Sequence, residues 1–309
     1  MDFLCIGEPL VEFTNPADDP ARFNRLAGGD TLNTAIYLAR LSPAGAVGYL
    51  SRLGDDKMSD YLASIMVDEG LVDLCQREVG GRPGLSFITT DSTGERSFTY
   101  WRDQAPARRL FSDQSEIIAL EQADTLFLSG ITLAVLHPQG RASLLAALAA
   151  RRAAGAQIVL DTNYRPRLWP NAATAAEVIG KAAGVATLVL PSLDDMSGAF
   201  GTDDPQEALA LLMHLTKAEI VLTTGGGDVL YRAAGQDTAR AIAIAEPRAA
   251  CDTTGAGDSF NAAWLTGRKA GLSIDDAIAR AAALAAEVVC YPGAIMPRAA
   301  MPFAASGTQ

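Results

Sequence analysis

Short apolar runs alternate with helical stretches along almost the whole chain, and this alternation constrains the fold more than any other feature. The apolar runs are short and rich in β-branched residues, which predicts buried strands. Strands that alternate with helices predict an α/β fold of three layers, α/β/α, with a mainly parallel central sheet. Strands are expected at residues 3–7, 47–50, 125–129, 157–161, 187–190 and 219–223, and helices near 31–41, 57–69, 138–154, 172–183 and 205–216. Two further helices are expected to begin at Gly255 and after Ser273.

Two segments interrupt the alternation. Residues 85–90 and 96–102 flank an Asp-Ser-Thr-Gly sequence, which predicts a hairpin. Residues 11–25 are polar and strand-like, and no helix follows them. Together they predict a small β-sheet lid, discontinuous in sequence. The chain is therefore expected to form a single domain over residues 1–309, with the lid inserted from about residues 9–27 and 80–106. Another hairpin, of residues 229–232 and 239–245, is expected at a sheet edge.

Charge and composition argue against several classes of function. The 309 residues include 25 Lys and Arg against 36 Asp and Glu, a formal net charge of −11. This balance predicts no binding to nucleic acid or to an anionic membrane, because both need clustered cations. The four cysteines are scattered without a CxxC pair, which predicts neither a zinc site nor a disulfide framework. No signal-like segment or membrane-length apolar stretch is recognised, so a cytoplasmic protein is expected.

The most informative motif is DTTGAGDSF, at residues 252–260. Glycines at a loop-to-helix junction let backbone N–H groups approach a phosphate, and the helix N-terminus adds partial positive charge. Gly255, Ala256 and Gly257 are thus candidates for an anion hole. Asp258 falls in the first helical turn, where the dipole is expected to keep it ionised. It could accept the proton of an attacking hydroxyl in phosphoryl transfer, or it could merely stabilise the helix.

A second glycine motif precedes the first predicted helix. It reads GGDTLN from Gly28 and Gly29 onward. Asp30 and Asn33 lie one turn apart on the same helix face, so they offer an acceptor and an amide to a polyol. An ordinary N-cap role for Asp30 is the alternative.

These two motifs resemble the signatures of the PfkB, or ribokinase-like, carbohydrate kinases, and the resemblance covers nearly the full chain. It implies an ATP-dependent kinase with Asp258 as the base and with Mg²⁺. It also implies a sugar site that includes Gly28, Gly29, Asp30, Asn33 and Asp258. For the nucleotide and its phosphates it implies Asn163, Ser192, Thr224, Gly225 and Gly227 beside Gly255 and Gly257, with an indirect Mg²⁺ contact from Asp195. No Walker A sequence occurs, in keeping with the anion hole.

A narrower resemblance points to 2-keto-3-deoxygluconate kinases. The stretches that carry it are GGDTLNTAIYLAR, DSTGERSFTYWR and DTNYRPRLW. It implies that Tyr100, Arg102 and Arg165 bind the substrate. The chemistry agrees, since an arginine fork pairs well with the carboxylate of an acidic sugar. Surface salt bridging is the alternative for the arginines. Ser86 stands where related kinases often have a substrate-facing Tyr, which leaves room for a different substrate.

Other functions stay open at this point. A kinase of the same family could act on 2-keto-3-deoxygalactonate, fructose or ribose, and a non-catalytic sugar or nucleotide sensor could share the fold. A dinucleotide-binding oxidoreductase is disfavoured because no GxGxxG follows the first strand. Dependence on K⁺ is left open. A homo-oligomer is predicted, because relatives associate through the lid and an exposed sheet invites pairing.

Overall fold

The computed structural model describes residues 1–15, 19, 21–90, 96–246 and 248–303. Within these residues, nine strands form the main sheet, in the order β15-β14-β13-β12-β11-β10-β1-β4-β6. The seven from β13 to β6 pair in parallel, and the hairpin β14–β15 continues one edge in antiparallel fashion. The strands are β1 Phe3–Ile6, β2 Leu10–Thr14, β3 Asn24–Gly28, β4 Val47–Leu50, β5 Arg52–Gly54, β6 Val72–Asp73, β7 Gln76–Glu78, β8 Gly84–Thr90, β9 Arg96–Trp101, β10 Thr125–Ser129, β11 Gln157–Asp161, β12 Leu188–Leu190, β13 Glu219–Leu222, β14 Val229–Arg232 and β15 Arg240–Ile242.

Helices cover both faces of the main sheet. Successive residues of a strand point to opposite faces, so Phe3 of β1 packs with α1, α9 and α10 while Leu4 packs with α3 to α6. The three-layer α/β/α architecture expected from the sequence is thereby confirmed. The helices are α1 Asp30–Leu41, α2 Lys57–Asp68, α3 Gln114–Ala119, α4 Gly130–Val135, α5 Pro138–Ala153, α6 Ala172–Val185, α7 Leu193–Phe200, α8 Pro205–Leu215, α9 Ala256–Lys269 and α10 Ile274–Val288.

A separate small sheet, in the order β3-β2-β8-β9, stands beside the main one. Strand β2 pairs antiparallel with β3 and parallel with β8, and β8 pairs antiparallel with β9. The expected small sheet, discontinuous in sequence, is therefore confirmed, while the turn expected at residues 91–94 lies outside the described residues. The division into a single domain with an inserted lid stays a prediction.

Several short elements were not expected from the sequence. Helices α3, α4 and α7 have six to eight residues each, and β5 to β7 have two or three. Segments of this length carry too few residues for an apolar period to emerge. They are defined by their caps instead, such as Asp113 before α3 and Ser192 before α7. Among the described residues, no helix has both the length and the apolarity that a membrane crossing requires.

Candidate active site

The predicted site residues gather at the carboxyl edge of the parallel strands, the edge where ligands bind in open α/β sheets. Two helices begin there, α1 at Asp30 and α9 at Ala256, and they pack against each other. Strand β11 ends there at Asp161, and the chain then turns through Asn163. The fold thus brings together segments that are more than two hundred residues apart in sequence.

Asp258 occupies the third position of α9 and is 8% exposed. Its Oδ2 accepts a hydrogen bond of 2.8 Å from Nδ2 of Asn33 on α1. This bond fixes the carboxylate toward the start of α1. Asn33, expected to contact the sugar, therefore also orients the candidate base. Its own Oδ1 is buried and has no hydrogen-bond partner within the described part of the chain.

Burial is the largest of the influences that set the acidity of Asp258. Burial and then the nearby negative charge of Asp30 raise the pKa of Asp258 from 3.8 to about 7, against the hydrogen bond from Asn33 and the charge of Arg165, which lower it. Near neutral pH the carboxyl is therefore only partly ionised, less than the sequence led us to expect. A base with a pKa near the working pH is well matched to accept a proton.

The raised pKa predicts a pH-dependent rate. Because only the ionised carboxylate can accept a proton, kcat/KM is expected to fall about tenfold per pH unit below a pKa of about 7 and to level off above it. Asn33→Leu removes a donor to the charged form, so its inflection is expected at higher pH. The measurement is a pH profile of kcat/KM for both proteins. A wild-type profile that is flat from about pH 5 to pH 8 would contradict the assignment.

The backbone at the start of α9 leaves room for a ligand to approach its N–H groups. Gly255 caps the helix in the left-handed region, at φ 80°, and a Cβ there would lie 2.5 Å from the carbonyl oxygen of Ala294. A Cβ at Gly257 would meet nothing within 4 Å. The first-turn N–H groups of a helix have no partner inside it, so those of Gly257 and Asp258 are available to an anion. Ala256 was also expected to contribute its N–H to the anion hole, but in this structure that N–H donates to the carbonyl of Thr253 at 3.3 Å.

Hydrogen bonds of Asp252 hold the loop before α9 against the segment that follows α10. Asp252 accepts hydrogen bonds from the N–H and hydroxyl of Thr254, at 3.1 and 2.7 Å, and from the N–H of Gly293, at 2.6 Å. Tyr37 of α1 donates to the carbonyl of Ala294 at 2.8 Å. The loop before α9 and the middle of α1 are therefore tied to the same short segment.

Carboxylates and amides line the other wall of the site. Asn163 donates from Nδ2 to Oδ2 of Asp30 at 3.0 Å. Asp161 accepts from the N–H of Asn163 at 3.1 Å and from Nδ2 of Asn261 at 2.9 Å. Burial first, and then neighbouring carboxylates, raise the pKa of Asp161 well above its ordinary value. Partial burial likewise raises the pKa of Asp30.

The predicted glycines before α1 allow neighbouring segments of the chain to pack closely against the backbone. Gly29 has φ 113°, and a Cβ there would lie 2.5 Å from the carbonyl oxygen of Glu8, so other residues are excluded. Gly28 ends β3, and its Cα faces the side chain of Glu12. The backbone at this corner is thus held tightly between β1 and α1.

The two predicted arginines behave differently. The side chain of Arg165 is 57% exposed; among the described residues it bonds the neighbouring carbonyl of Tyr164, at 2.9 Å, and has Asp195 at 3.8 Å. Its charge lowers the pKa of both Asp30 and Asp258. Arg102 is buried instead, and its Nε and Nη2 both bond the carboxylate of Glu8, with Nε at 2.9 Å.

The guanidinium fork of Arg102 is directed at Glu8 in this structure, and its contact with a substrate stays a prediction. The side chains of Arg102 and Glu8 are 7% and 1% exposed, and a buried carboxylate needs a cation nearby. Tyr100 lies on β9 with its ring 5.7 Å from the Arg102 guanidinium. Ser86 faces Tyr100 across the two strands and is buried. Tyr100 is thus 40% exposed on the small sheet, whereas Arg102, which follows β9, is buried.

The predicted nucleotide loop follows β13. Gly225 and Gly226 adopt φ 72° and 107°, and the hydroxyl of Thr224 donates to the carbonyl of Asp228 at 2.9 Å. Gly227 packs beside Thr224. The loop is a tight, exposed turn at the same sheet edge as α9.

The residues predicted to contact Mg²⁺ are occupied by other bonds. Ser192 caps α7, and its hydroxyl oxygen accepts from the N–H of Asp195 at 3.1 Å. Asp195 in turn accepts 2.8 Å bonds from the hydroxyl of Thr162 and the N–H of Tyr164. In the described ranges, no group of three or more His, Cys, Asp or Glu side chains is placed to hold a metal ion. The described residues therefore form no all-protein metal cage, and the indirect Mg²⁺ contact expected of Asp195 stays a prediction.

The sequence is matched over residues 2–300 by the pfkB family carbohydrate kinase model. The chain belongs to this family of carbohydrate kinases. It is 39% identical over 304 residues to the 2-dehydro-3-deoxygluconokinase of Escherichia coli strain K12, which covers 96% of this chain and 97% of that protein. It is also 39% identical over 308 residues to the enzyme of the same name from Dickeya dadantii strain 3937, at 97% and 98% coverage.

A solved kinase confirms the ribokinase-like fold. The crystal structure of a fructokinase with bound ATP from Xylella fastidiosa superposes with a TM-score of 0.79 at 25% identity, covering 97% of this chain and 95% of that one. The resemblance of the motifs to pfkB kinases is therefore confirmed, and so is its narrower form. This chain is a carbohydrate kinase with the three-layer fold of the family.

Sequence reasoning missed several residues of this kinase site. Glu8, Asp161 and Asn261 each bond a predicted site residue or its neighbour. Asn261 stands three residues after Asp258 on α9, so the helical period could have indicated it. Asp161 begins the DTNYRPRLW stretch, which makes it a candidate by position. Glu8 had no comparable signal, since its partner is ninety-four residues away.

Proposed function

We propose that this kinase transfers the γ-phosphoryl group of ATP to the terminal hydroxyl of 2-keto-3-deoxygluconate, giving the 6-phosphate. The observation that carries the proposal is the position of Asp258, oriented by Asn33 at the start of a helix with unbonded N–H groups. This arrangement places a base and an anion site side by side, which phosphoryl transfer to an alcohol requires.

The sugar is expected to lie between α1, β9 and the turn after β11. Asn33 and Asn163 each have a buried Oδ1 without a hydrogen-bond partner among the described residues. Buried acceptors of this kind normally find a donor, and sugar hydroxyls are suitable donors. Gly28, Gly29, Asp30 and Tyr100 complete this proposed sugar site.

The acidic end of the sugar is expected at Arg165. This guanidinium is largely exposed and stands among the carboxylates of the site. A sugar carboxylate would neutralise it at close range through a charge-assisted pair. The names of the two curated relatives, both 2-dehydro-3-deoxygluconokinases, support the same substrate.

In the proposed reaction the sugar hydroxyl oxygen forms a bond to the γ-phosphorus. The bond from that phosphorus to the bridging oxygen breaks, ADP leaves, and the hydroxyl proton passes to Asp258. The N–H groups of Gly257 and Asp258 stabilise the negative charge on the transferred oxygens. ATP is expected between the Thr224–Gly227 turn and Gly255, and its use is supported by the fructokinase of the same fold that was solved with bound ATP. Mg²⁺ is expected to enter with the phosphates, which commonly supply its ligands.

The test is an ADP-release assay over a panel of sugars. We expect 2-keto-3-deoxygluconate to give the highest kcat/KM, above 2-keto-3-deoxygalactonate, gluconate, fructose and ribose, with the assay run in both NaCl and KCl. Arg165→Ala is expected to lower kcat/KM for the acidic sugar about 10- to 100-fold, the value of a hydrogen bond to a charged group. Arg167→Ala, which removes a neighbouring exposed arginine, is the matched control and should change little.

Two outcomes would overturn the proposal. Wild-type preference for a neutral sugar would contradict the substrate, and equal losses from the Arg165 and Arg167 variants would contradict the carboxylate contact. Self-association through the small sheet stays a prediction. It is supported by the exposed aromatic rings of Phe23, Phe98 and Trp101 on that sheet.

A further inference from the structure

The turn that carries Arg165 is held in an uncommon conformation. Asn163 has φ 22°, a value in the region that non-glycine residues rarely adopt. The turn is also tightly enclosed, because a Cβ at Gly130 would lie 1.9 Å from the carbonyl oxygen of Thr162. A backbone in such a conformation persists only when its surroundings hold it there.

We propose that Asp195 is a positioning residue, which holds this turn in place for the acidic sugar instead of serving a metal ion. The proposal rests on the proposed function, since it assigns the turn to sugar binding. It concerns a residue where the family resemblance implied an indirect Mg²⁺ contact.

The contacts of Asp195 are directed at the turn. Its Oδ2 accepts the hydroxyl of Thr162, and its Oδ1 accepts the N–H of Tyr164, both at 2.8 Å. These two residues flank Asn163 on either side. The side chain of Asp195 is only 9% exposed, so each of these bonds is largely shielded from water and is correspondingly strong.

The carboxylate is itself held by α7. Ser192 caps that helix and accepts the N–H of Asp195, which stands three residues later. Gly198 on the same helix packs against the ring of Tyr164, where a Cβ would lie 2.8 Å from the ring. Helix α7 therefore serves as a rigid support for the turn.

The position of this turn also sets the positions of Asn163 and Arg165 in the proposed sugar site. Asn163 donates to Asp30 at 3.0 Å, and Arg165 follows two residues later with its guanidinium exposed. A shift of the turn would move both side chains relative to Asp258. The consequence should appear as weaker binding of the acidic sugar, with the ATP side unchanged.

Substitutions at Thr162 distinguish a positioning role of Asp195 from a role toward the metal ion. Thr162→Val replaces the hydroxyl by a methyl group of similar size and leaves the carboxylate of Asp195 in place. Thr162→Ser retains the hydroxyl. Asp195→Asn retains an acceptor for Tyr164 but cannot accept the Thr162 hydroxyl through its amide nitrogen.

The experiment measures KM for 2-keto-3-deoxygluconate, KM for ATP and the Mg²⁺ concentration that gives half the maximal rate. Thr162→Val and Asp195→Asn are each expected to raise KM for the sugar about tenfold, the effect of losing one hydrogen bond to a charged group. Thr162→Ser should restore near wild-type values. KM for ATP and the Mg²⁺ requirement should stay unchanged in all three. Thermal unfolding of each variant checks that it is folded.

The opposite pattern would overturn the proposal. If Asp195→Asn raises the Mg²⁺ requirement while Thr162→Val behaves as wild type, Asp195 acts toward the metal. If folded Thr162→Val has a wild-type KM for the sugar, the bond does not position the turn. Failure of the proposed function is distinct, because the wild-type enzyme would then show no preference for the acidic sugar.

Discussion

Asp258→Asn is expected to lower kcat by about 10²- to 10⁴-fold, the contribution of a positioned general base. The amide has nearly the same shape and can still accept the 2.8 Å bond from Asn33. It cannot accept the proton of the sugar hydroxyl. Binding of ATP is expected to persist because the N–H groups of α9 are backbone groups. Steady-state kinetics and nucleotide titration measure the two effects.

The matched control for this substitution lies on α10. Asp276 occupies the third position of its helix, as Asp258 does in α9, but it is exposed and lies outside the site. If Asp258 only stabilised a helix N-terminus, Asp276→Asn and Asp258→Asn would have similar small effects. We expect the control to keep full turnover. Turnover within a few-fold of wild type in Asp258→Asn would remove this residue from the mechanism.

The same substitution should not weaken the fold. A carboxyl whose pKa is raised to about 7 binds its proton more tightly in the folded state than in the unfolded chain, where the ordinary value is 3.8. Its stabilising contribution is therefore present at low pH and is lost as the pH rises through 7. A neutral amide avoids this loss, so Asp258→Asn is expected to be at least as stable as wild type at neutral pH. Activity and stability would then change in opposite directions.

Glu8→Gln is expected to lower the free energy of unfolding by about 3 kcal/mol, the low end for breaking a buried ion pair. The substitution removes the charge that pairs with the buried guanidinium of Arg102. The retained amide oxygen can still accept one hydrogen bond, which is why the low end is expected. Urea denaturation measures the change.

Two further variants make this result interpretable. Asp275→Asn breaks the pair with Arg240, whose side chains are 59% and 50% exposed, and should cost less than about 1 kcal/mol. Replacing both Glu8 and Arg102 with Met should recover most of the lost stability, because an apolar pair leaves no charge uncompensated. Equal stability of Glu8→Gln and wild type would show that the pair does not stabilise the junction of β1 and the small sheet.

The sequence predicted the main architecture because its signals are local. Each long helix and each central strand carries its own apolar period, and the predicted bounds differ from the observed ones by at most two residues. The motif around Asp258 could be recognised in the same way, since its glycines and carboxylate lie within four consecutive positions. Confirmation of the family by comparison agrees with both.

The parts that escaped prediction depend on distant partners. Arg102 was expected to contact a substrate, and in the structure it bonds Glu8. Because Glu8 is ninety-four residues away in sequence, no local pattern could predict this pair. The resemblance implied an indirect Mg²⁺ contact for Asp195 and gave no sign of its bonds to Thr162 and Tyr164, which stand 33 and 31 residues earlier in the chain. The pKa of Asp258 depends on burial, which exists only after α1 and α9 have packed together. Pairings of this kind arise from tertiary structure and not from spacing.

The contact between Gly255 and the carbonyl of Ala294 has an evolutionary consequence. That contact involves main-chain atoms, so no compensating change of side chain at position 294 can make room for a larger residue at position 255. On the proposed function, the phosphoryl end of the pocket is therefore constrained by main-chain atoms at position 255, whereas the side chains of Tyr100 and Arg165 at the proposed sugar end meet no such backbone constraint. We expect changes of sugar preference to arise by substitution at such side chains, with Gly255 retained.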